Sequence, residues 1–265
     1  MVEHAGTEGA GRVADVLLDF LEGPDSLGVS ALARDLALSK AVVHRILRTL
    51  VQRGLLETDP ETREYRLGTS VAALGARALR DLDLRVAAMP VLRELQARTG
   101  ETTTVSAYVP GGRVYLDQVE SAREIKMTVE LGRRFPLHAG SSSTCILAFL
   151  PDAEIEAVLA GPLDVLTRRT IVDTAGLRQR IRDVRAHGFA CSDGERQEGA
   201  GSVASPVFGV DGLIKGAISV CGPAARVDSA ARDRFVPLLT SAADRISREM
   251  GWRGGLPRME GRAIA

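Results

Sequence analysis

Cysteine is scarce in this chain, three residues in 265, and the three (Cys145, Cys191, Cys221) are far apart and odd in number. That excludes a disulfide scaffold and fits reduced thiols. No apolar run reaches the roughly 18 residues a membrane helix needs, and no cationic leader with an apolar core opens the sequence. The expectation is a cytoplasmic protein with no membrane partner. Charge of one sign is also missing, because 34 basic residues balance 34 acidic ones. Nothing global advertises nucleic acid. The four histidines (His4, His44, His138, His187) show no metal-ligand spacing, so no metal is expected. Neither a GxGxxG nor a P-loop occurs, and no cofactor is expected. What remains is an ordinary globular composition, 45% hydrophobic and 26% charged, long enough for two domains.

The stretch Ser30–Arg53 is where a function becomes readable. Two short helices are separated by a break at Leu38-Ser39. Ser30 reads as the cap of the first, with Leu32 and Leu36 inward and Ala33 small where two helices cross. Ser39 reads as the cap of the second. After it Val43, Ile46, Leu47, Leu50 and Val51 recur at helical spacing and make one buried stripe. The opposite face carries Lys40, His44, Arg45, Arg48 and Arg53, with Ala41 and Thr49 among them and no acidic residue from Lys40 to Arg53. Two strand-like runs, 55–58 and 64–67, flank a turn at 59–63, with Arg63 and Arg66 near it. Helix, helix, β-hairpin describes a winged helix-turn-helix whose second helix enters the major groove while cations meet phosphate. The plain alternative is that the cations only solvate an outer face.

Along the chain, residues 1–10 read as a disordered leader and 11–67 as the winged-helix unit, opened by a helix with Val13, Val16, Leu17, Phe20 and Leu21 inward. Residues 68–84 read as a linker helix, able to pair with a second copy or to pack on its own body. A helix with Val86, Met89, Leu92 and Leu95 inward follows and stops at Thr99-Gly100. From Glu101 the period changes to two, and 102–108, 113–119 and 124–129 read as strands. Residues 132–136 read as a break. Helices are expected through Ile146, Leu147 and Leu150, over 152–159 and over 174–187, the last ended by Gly188. Strands 189–192, 202–208 and 213–221 precede a helix from Ser229 to Met250, and residues 251–265 read as a flexible tail. The whole is an α+β pattern around a mostly antiparallel sheet.

Several motifs together resemble the IclR family of bacterial transcriptional regulators. They are Gly132-Arg133-Arg134-Phe135-Pro136-Leu137-His138-Ala139-Gly140-Ser141-Ser142, then Ile146-Leu147-Ala148-Phe149-Leu150-Pro151, Gly188-Phe189, Gly194-Glu195, Gly199, Ala204-Ser205-Pro206-Val207-Phe208 and Ile218-Ser219-Val220-Cys221-Gly222-Pro223. The resemblance covers about residues 11–250. It implies a GAF-like effector-binding domain over 85–250, assembly as a homodimer or homotetramer, and a pocket lined by the loop entering the helix after His138, by the 192–195 loop and by the last two strands. Carried over residue by residue, it points to Met127, Val129, Leu131, Ala139, Gly140, Ser141, Ser142, Ser192, Ser202, Ser219 and Cys221. On the DNA side it agrees with Ser30, Ser39, Lys40, Ala41, His44, Arg45, Arg48, Arg63 and Arg66. Three positions depart from the family pattern: Ser143-Thr144 replace Gly-Lys, Ser192 replaces an aspartate beside Asp193, and Ser202 replaces a cysteine. A Gly-Ser-Ser turn opening a helix offers unpaired backbone N–H groups and the positive end of the helix dipole, a seat for a carboxylate. The expected function is thus a ligand-responsive DNA-binding regulator, a repressor of a neighbouring catabolic operon that responds to a small organic acid. An activator of the same build, a thiol enzyme using Cys145 with His138 as base, and an oligomerising scaffold are the competing readings.

Overall fold

The computed structural model describes residues 8–21, 24–80 and 83–254, and the chain divides into two compact units, Met1–Leu82 and Asp83–Ala265. In the first unit, helices α1 (Glu8–Asp19), α2 (Val29–Asp35) and α3 (Lys40–Gln52) precede strands β1 (Leu56–Thr58) and β2 (Tyr65–Leu67), and α4 (Thr69–Arg80) follows. Val16, Leu32, Val43 and Leu47 are fully buried at its centre, so the helical stripe read from the sequence is the core. β1 and β2 pair antiparallel, and Leu27 adds a third short bridge through two backbone hydrogen bonds to Tyr65.

Two sequence expectations for this unit need correcting. α2 starts at Val29 with Gly28 as its cap, so Ser30 lies inside the first turn and caps nothing. α1 starts at Glu8, whose carboxylate pairs with Arg12 one turn on, so residues 8–10 are helical and not leader. Residues 1–7 lie outside the described residues.

The second unit runs α5 (Asp83–Thr99), β3 (Thr102–Val109), β4 (Gly112–Val119), β5 (Arg134–Phe135), α6 (Ser141–Ala148), α7 (Asp152–Ala160), α8 (Thr174–His187), β6 (Ala190–Asp193), β7 (Ala200–Phe208), β8 (Ile214–Pro223) and α9 (Ser229–Glu249). One six-stranded antiparallel sheet in the order β5-β4-β3-β8-β7-β6 carries it. This is the α+β architecture expected. Both faces are covered. Val203, Val207, Ile218 and Val220 pack with α5 and α9, while Ala204, Phe208 and Ala217 pack with α6, α7 and α8. Covering both faces explains why β7 and β8 read as nearly continuous apolar runs. α8 ends on Gly188 at φ 75°, the left-handed residue its sequence demands.

The differences here are local. Residues 124–129 form no strand. Their backbone is held by side chains instead: Gln118 bonds both the N–H and the C=O of Val129 (2.9 and 3.2 Å), and the Thr102 hydroxyl donates to Met127 O at 2.6 Å. Two residues of the expected break, Arg134 and Phe135, make edge strand β5 on β4. On α5 the buried face is Leu84, Ala88, Val91, Leu92 and Leu95, leaving Val86 exposed. Within the expected tail, the backbone N–H of Trp252 donates to Ser247 O (2.8 Å) and its ring lies 5.4 Å from that of Phe208, so the chain stays docked to there. Residues 255–265, like 81 and 82 of the linker, lie outside the described residues.

Candidate functional site

In the first unit the candidate surface is one face of α3. The Ser39 hydroxyl accepts from Val42 N (3.4 Å) and Val43, Ile46, Leu47 and Leu50 turn inward. Lys40, Ala41, His44, Arg45 and Arg48 are thereby fixed on the outside, all exposed along with Ser30 and Ser39. None of the four basic side chains makes an ion pair among the described residues. Their charge is available to a polyanion. The turn between β1 and β2 is built on Asp59, whose carboxylate accepts the N–H groups of Glu61 and Thr62, both at 2.9 Å. Those bonds hold its pKa below the usual carboxylate value, the Thr62 N–H contributing most. Arg63 is exposed at φ 63° beside this turn. Arg66 is exposed but faces Glu57 across the strand pair at 3.4 Å, so its charge is partly spoken for.

In the second unit a cavity of about 30 Å³ opens between the sheet and the first turn of α6. Met127, Val129, Gly140, Ser141, Ser142, Ser192, Ser202, Ser219 and Cys221 all line it. Two expected residues do not. Ala139 is buried outside the wall, and Leu131 is half-exposed, held only through its backbone bridge to Tyr115. The serines are brought together by register. Ser202 faces Cys221 and Ala204 faces Ser219, so β7 and β8 turn Ser202, Ser219 and Cys221 to the same side. Ser141 Oγ and Ser202 Oγ are 2.7 Å apart, as are Thr104 Oγ1 and Ser219 Oγ. Gly140 enters α6 at φ 91° and the first helical bond is Thr144 N to Gly140 O. Glu195 Oε2 accepts the Gly140 N–H at 3.1 Å, which leaves the amides of Ser141, Ser142 and Ser143 at the open end of the helix.

Sequence reasoning missed the most unusual group at this cavity. Arg113, on β4, is 1% exposed and has no acidic partner among the described residues. Its guanidinium donates to three hydroxyls instead: Nε to Ser143 Oγ (2.7 Å), Nη1 to Ser106 Oγ (3.0 Å) and Nη2 to the Tyr115 hydroxyl (3.0 Å). It also stands 4.2 Å from the Tyr115 ring centroid and 5.3 Å from that of Phe135. Burial pulls its pKa below the ordinary arginine value, yet a guanidinium remains charged at neutral pH. Arg196, from the 194–199 loop, lies 4.9 Å from the Phe135 ring and 5.9 Å from that of Tyr115. The departure at Ser143 now has a reason, since its hydroxyl anchors Arg113.

The thiol chemistry fails on geometry. Cys145 is fully buried, donates to Ala204 O at 3.1 Å, and burial drives its pKa far above the ordinary thiol value. His138 Nε2 is occupied with Asp164 O at 3.0 Å and makes no bond to it. Burial likewise pushes the Cys221 thiol up to about 12.

Comparison with known proteins agrees with both units. Residues 76–248 match the family described as bacterial transcriptional regulator IclR C-terminal, and residues 9–60 match the IclR helix-turn-helix domain. The chain is 30% identical over 237 residues to the HTH-type transcriptional regulator KdgR of Escherichia coli, spanning 89% of this chain and 90% of that protein. It is 32% identical over 242 residues to the glycerol operon regulatory protein of Streptomyces griseus, spanning 91% and 95%. Among solved structures, an IclR transcriptional regulator from Silicibacter superposes with a TM-score of 0.85 at 30% identity, covering 95% of this chain and 100% of that one. An IclR homolog of Microbacterium hydrocarbonoxydans, solved with 4-hydroxybenzoate, superposes with a TM-score of 0.72 at 25% identity, covering 92% and 99%.

Proposed function

The chain belongs to the IclR family of bacterial transcriptional regulators, and on that premise we propose that it is a ligand-responsive repressor of a neighbouring catabolic operon. It binds a near-palindromic operator as a homodimer or homotetramer and answers to a small organic acid. The observation that carries the DNA half is the outer face of α3, where Lys40, His44, Arg45 and Arg48 stand exposed and, among the described residues, without acidic partners. Ser39 and Ala41 are small and exposed at the start of α3, Ser30 is exposed on α2, and Arg63 and Arg66 supply cations beside the turn of the wing. Two heads reading successive major grooves need half-sites about 34–36 Å apart. No helix among the described residues is long and apolar enough to cross a membrane, and the protein works in the cytoplasm where its operator is.

The serine-lined cavity in a unit separate from the α3 face supports the effector half. An acid bound there favours one placement of the heads, which requires different affinity for two states. The decisive experiment titrates the DNA upstream of the gene and its neighbours in fluorescence anisotropy. Arg45→Ala or Arg48→Ala weakens binding with the far-ultraviolet spectrum unchanged, and each lost phosphate contact flattens the slope of log K against log salt by about 0.9. Unchanged affinity in both variants refutes the assignment of α3. Deleting the gene raises transcripts of the adjacent operon; a fall makes the protein an activator instead. A thermal-shift panel of small organic acids separates a receptor from a scaffold, because a ligand bound by the native state raises stability.

A further inference from the structure

We propose that the cavity is built for a compact dianion, an organic acid carrying two negative charges, with Arg113 and Arg196 as its counter-cations. This rests on the small-acid reading above and narrows it. A buried guanidinium is costly unless something negative meets it. Arg113 is 1% exposed and every partner it has is neutral: Ser143, Ser106 and Tyr115. Those three bonds use three of its five N–H donors, leaving one on each terminal nitrogen. Arg196 shares with it the wall made by the Tyr115 and Phe135 rings, and it too makes no ion pair among the described residues. Two like charges on one aromatic wall repel each other, which adds to the cost of leaving them unmatched.

The one acidic side chain lining the cavity does not match them. Glu195 accepts from Arg180 at Oε1 (3.0 Å) and from the Gly140 N–H at Oε2 (3.1 Å). The space therefore holds two unmatched cations and the open N-terminal turn of α6. A monocarboxylate cancels one charge and buries the other deeper, whereas a dianion cancels both. Arg113, Arg196 and the first turn of α6 line the same small cavity, so the two negative groups must lie close together.

The test is isothermal titration calorimetry of the full-length protein with malonate, succinate and glycerol phosphate, each beside a monoacid of matched length. At least one dianion binds about tenfold more tightly than its matched monoacid. Arg196→Gln brings that ratio down to about threefold or less, and Arg113→Gln weakens both classes. Far-ultraviolet circular dichroism, measured alongside, checks that each variant is folded. Arg196 is half-exposed, so its variant carries the test even if Arg113→Gln does not fold. Succinate outbinding glycerol phosphate assigns a dicarboxylate, and the reverse order assigns a phosphate monoester. Equal binding of monoacids and dianions, or an Arg196→Gln variant with its preference intact, overturns the dianion and leaves the small-acid reading standing. No acid bound by the unaltered protein overturns both.

Discussion

Removing the side chain of Arg226 tests how the cavity wall is held. Arg226 lies between β8 and α9 and grips Glu101 with two bonds, Nε to Oε1 at 2.6 Å and Nη2 to Oε2 at 2.8 Å, while Nη2 also donates to Ile125 O at 2.8 Å. The Glu101 side chain is 2% exposed and that of Arg226 is 26% exposed. One guanidinium thus clamps the start of β3 and the 121–133 segment that supplies Met127 and Val129 to the cavity. Breaking a fully buried pair by deleting one partner costs about 3–5 kcal/mol. Arg226 is a quarter exposed, and Arg123 stays 3.7 Å from the same carboxylate, so the expected loss for Arg226→Ala is about 2–3 kcal/mol. The single tryptophan, Trp252, sits against Phe208 in the second unit, so its fluorescence in a urea titration reports that unit alone. With a slope of about 2 kcal/mol/M, the midpoint falls by about 1–1.5 M. Glu101→Gln removes the stranded charge, so adding it to Arg226→Ala recovers part of the loss. A midpoint shift below about 0.3 M would refute the clamp.

Three further outcomes follow from local geometry. Ala37 sits at φ 52° in the turn between α2 and α3, so Ala37→Gly stabilises the first unit by about 0.5–1 kcal/mol, read as slowed amide exchange in α3 with operator affinity unchanged. Faster exchange refutes it. The Asp59 carboxyl is held below its unfolded value by the Thr62 and Glu61 amides, so its contribution to the wing turn is complete above the ordinary carboxylate pKa and is lost as pH falls through the depressed one. A carbon-detected NMR titration of Asp59 checks this, and a midpoint at or above the ordinary value rejects it. Native protein at pH 7.5 leaves Cys145 unmodified by iodoacetamide while urea-unfolded protein is labelled; rapid native labelling would restore the thiol reading.

The first unit was legible because its signals are local. Ser39 followed by Val43, Ile46, Leu47 and Leu50 names the buried face of α3 within a dozen residues, and the cationic face follows by geometry. Ser30 misled for an equally local reason: serine caps well, but the helix begins with Val29, and Gly28 fills the cap position. Residues 124–129 misled because the alternation of Ile125, Met127 and Val129 satisfies a strand template without a neighbour to pair with. Their backbone partners, Gln118 and Thr102, are side chains that no period reveals. β5 is two residues long and exists only because β4 lies beside it.

Arg113 was hidden by distance along the chain. In a hairpin strand beginning at Gly112, a lone arginine reads as the solvent face. Its burial is decided by Ser143, 30 residues away, and by Phe135 from the unforeseen edge strand. One pattern could have exposed it. On β3, Thr102, Thr104 and Ser106 recur at period two and all three are fully buried. A central strand turns one face of its side chains into a core, and hydroxyls repeated along that face need polar partners there. Ser219 answers Thr104, the Met127 carbonyl answers Thr102, and Arg113 answers Ser106. The same logic recasts the serines of β7 and α6: Ser141 and Ser202 bond each other and cap no helix, so they are the walls of a polar chamber. A chamber lined with neutral hydroxyls around two cations suits an anion, and the hydroxyl-for-glycine exchange at Ser143 is the position that ties the sequence departures to that charge.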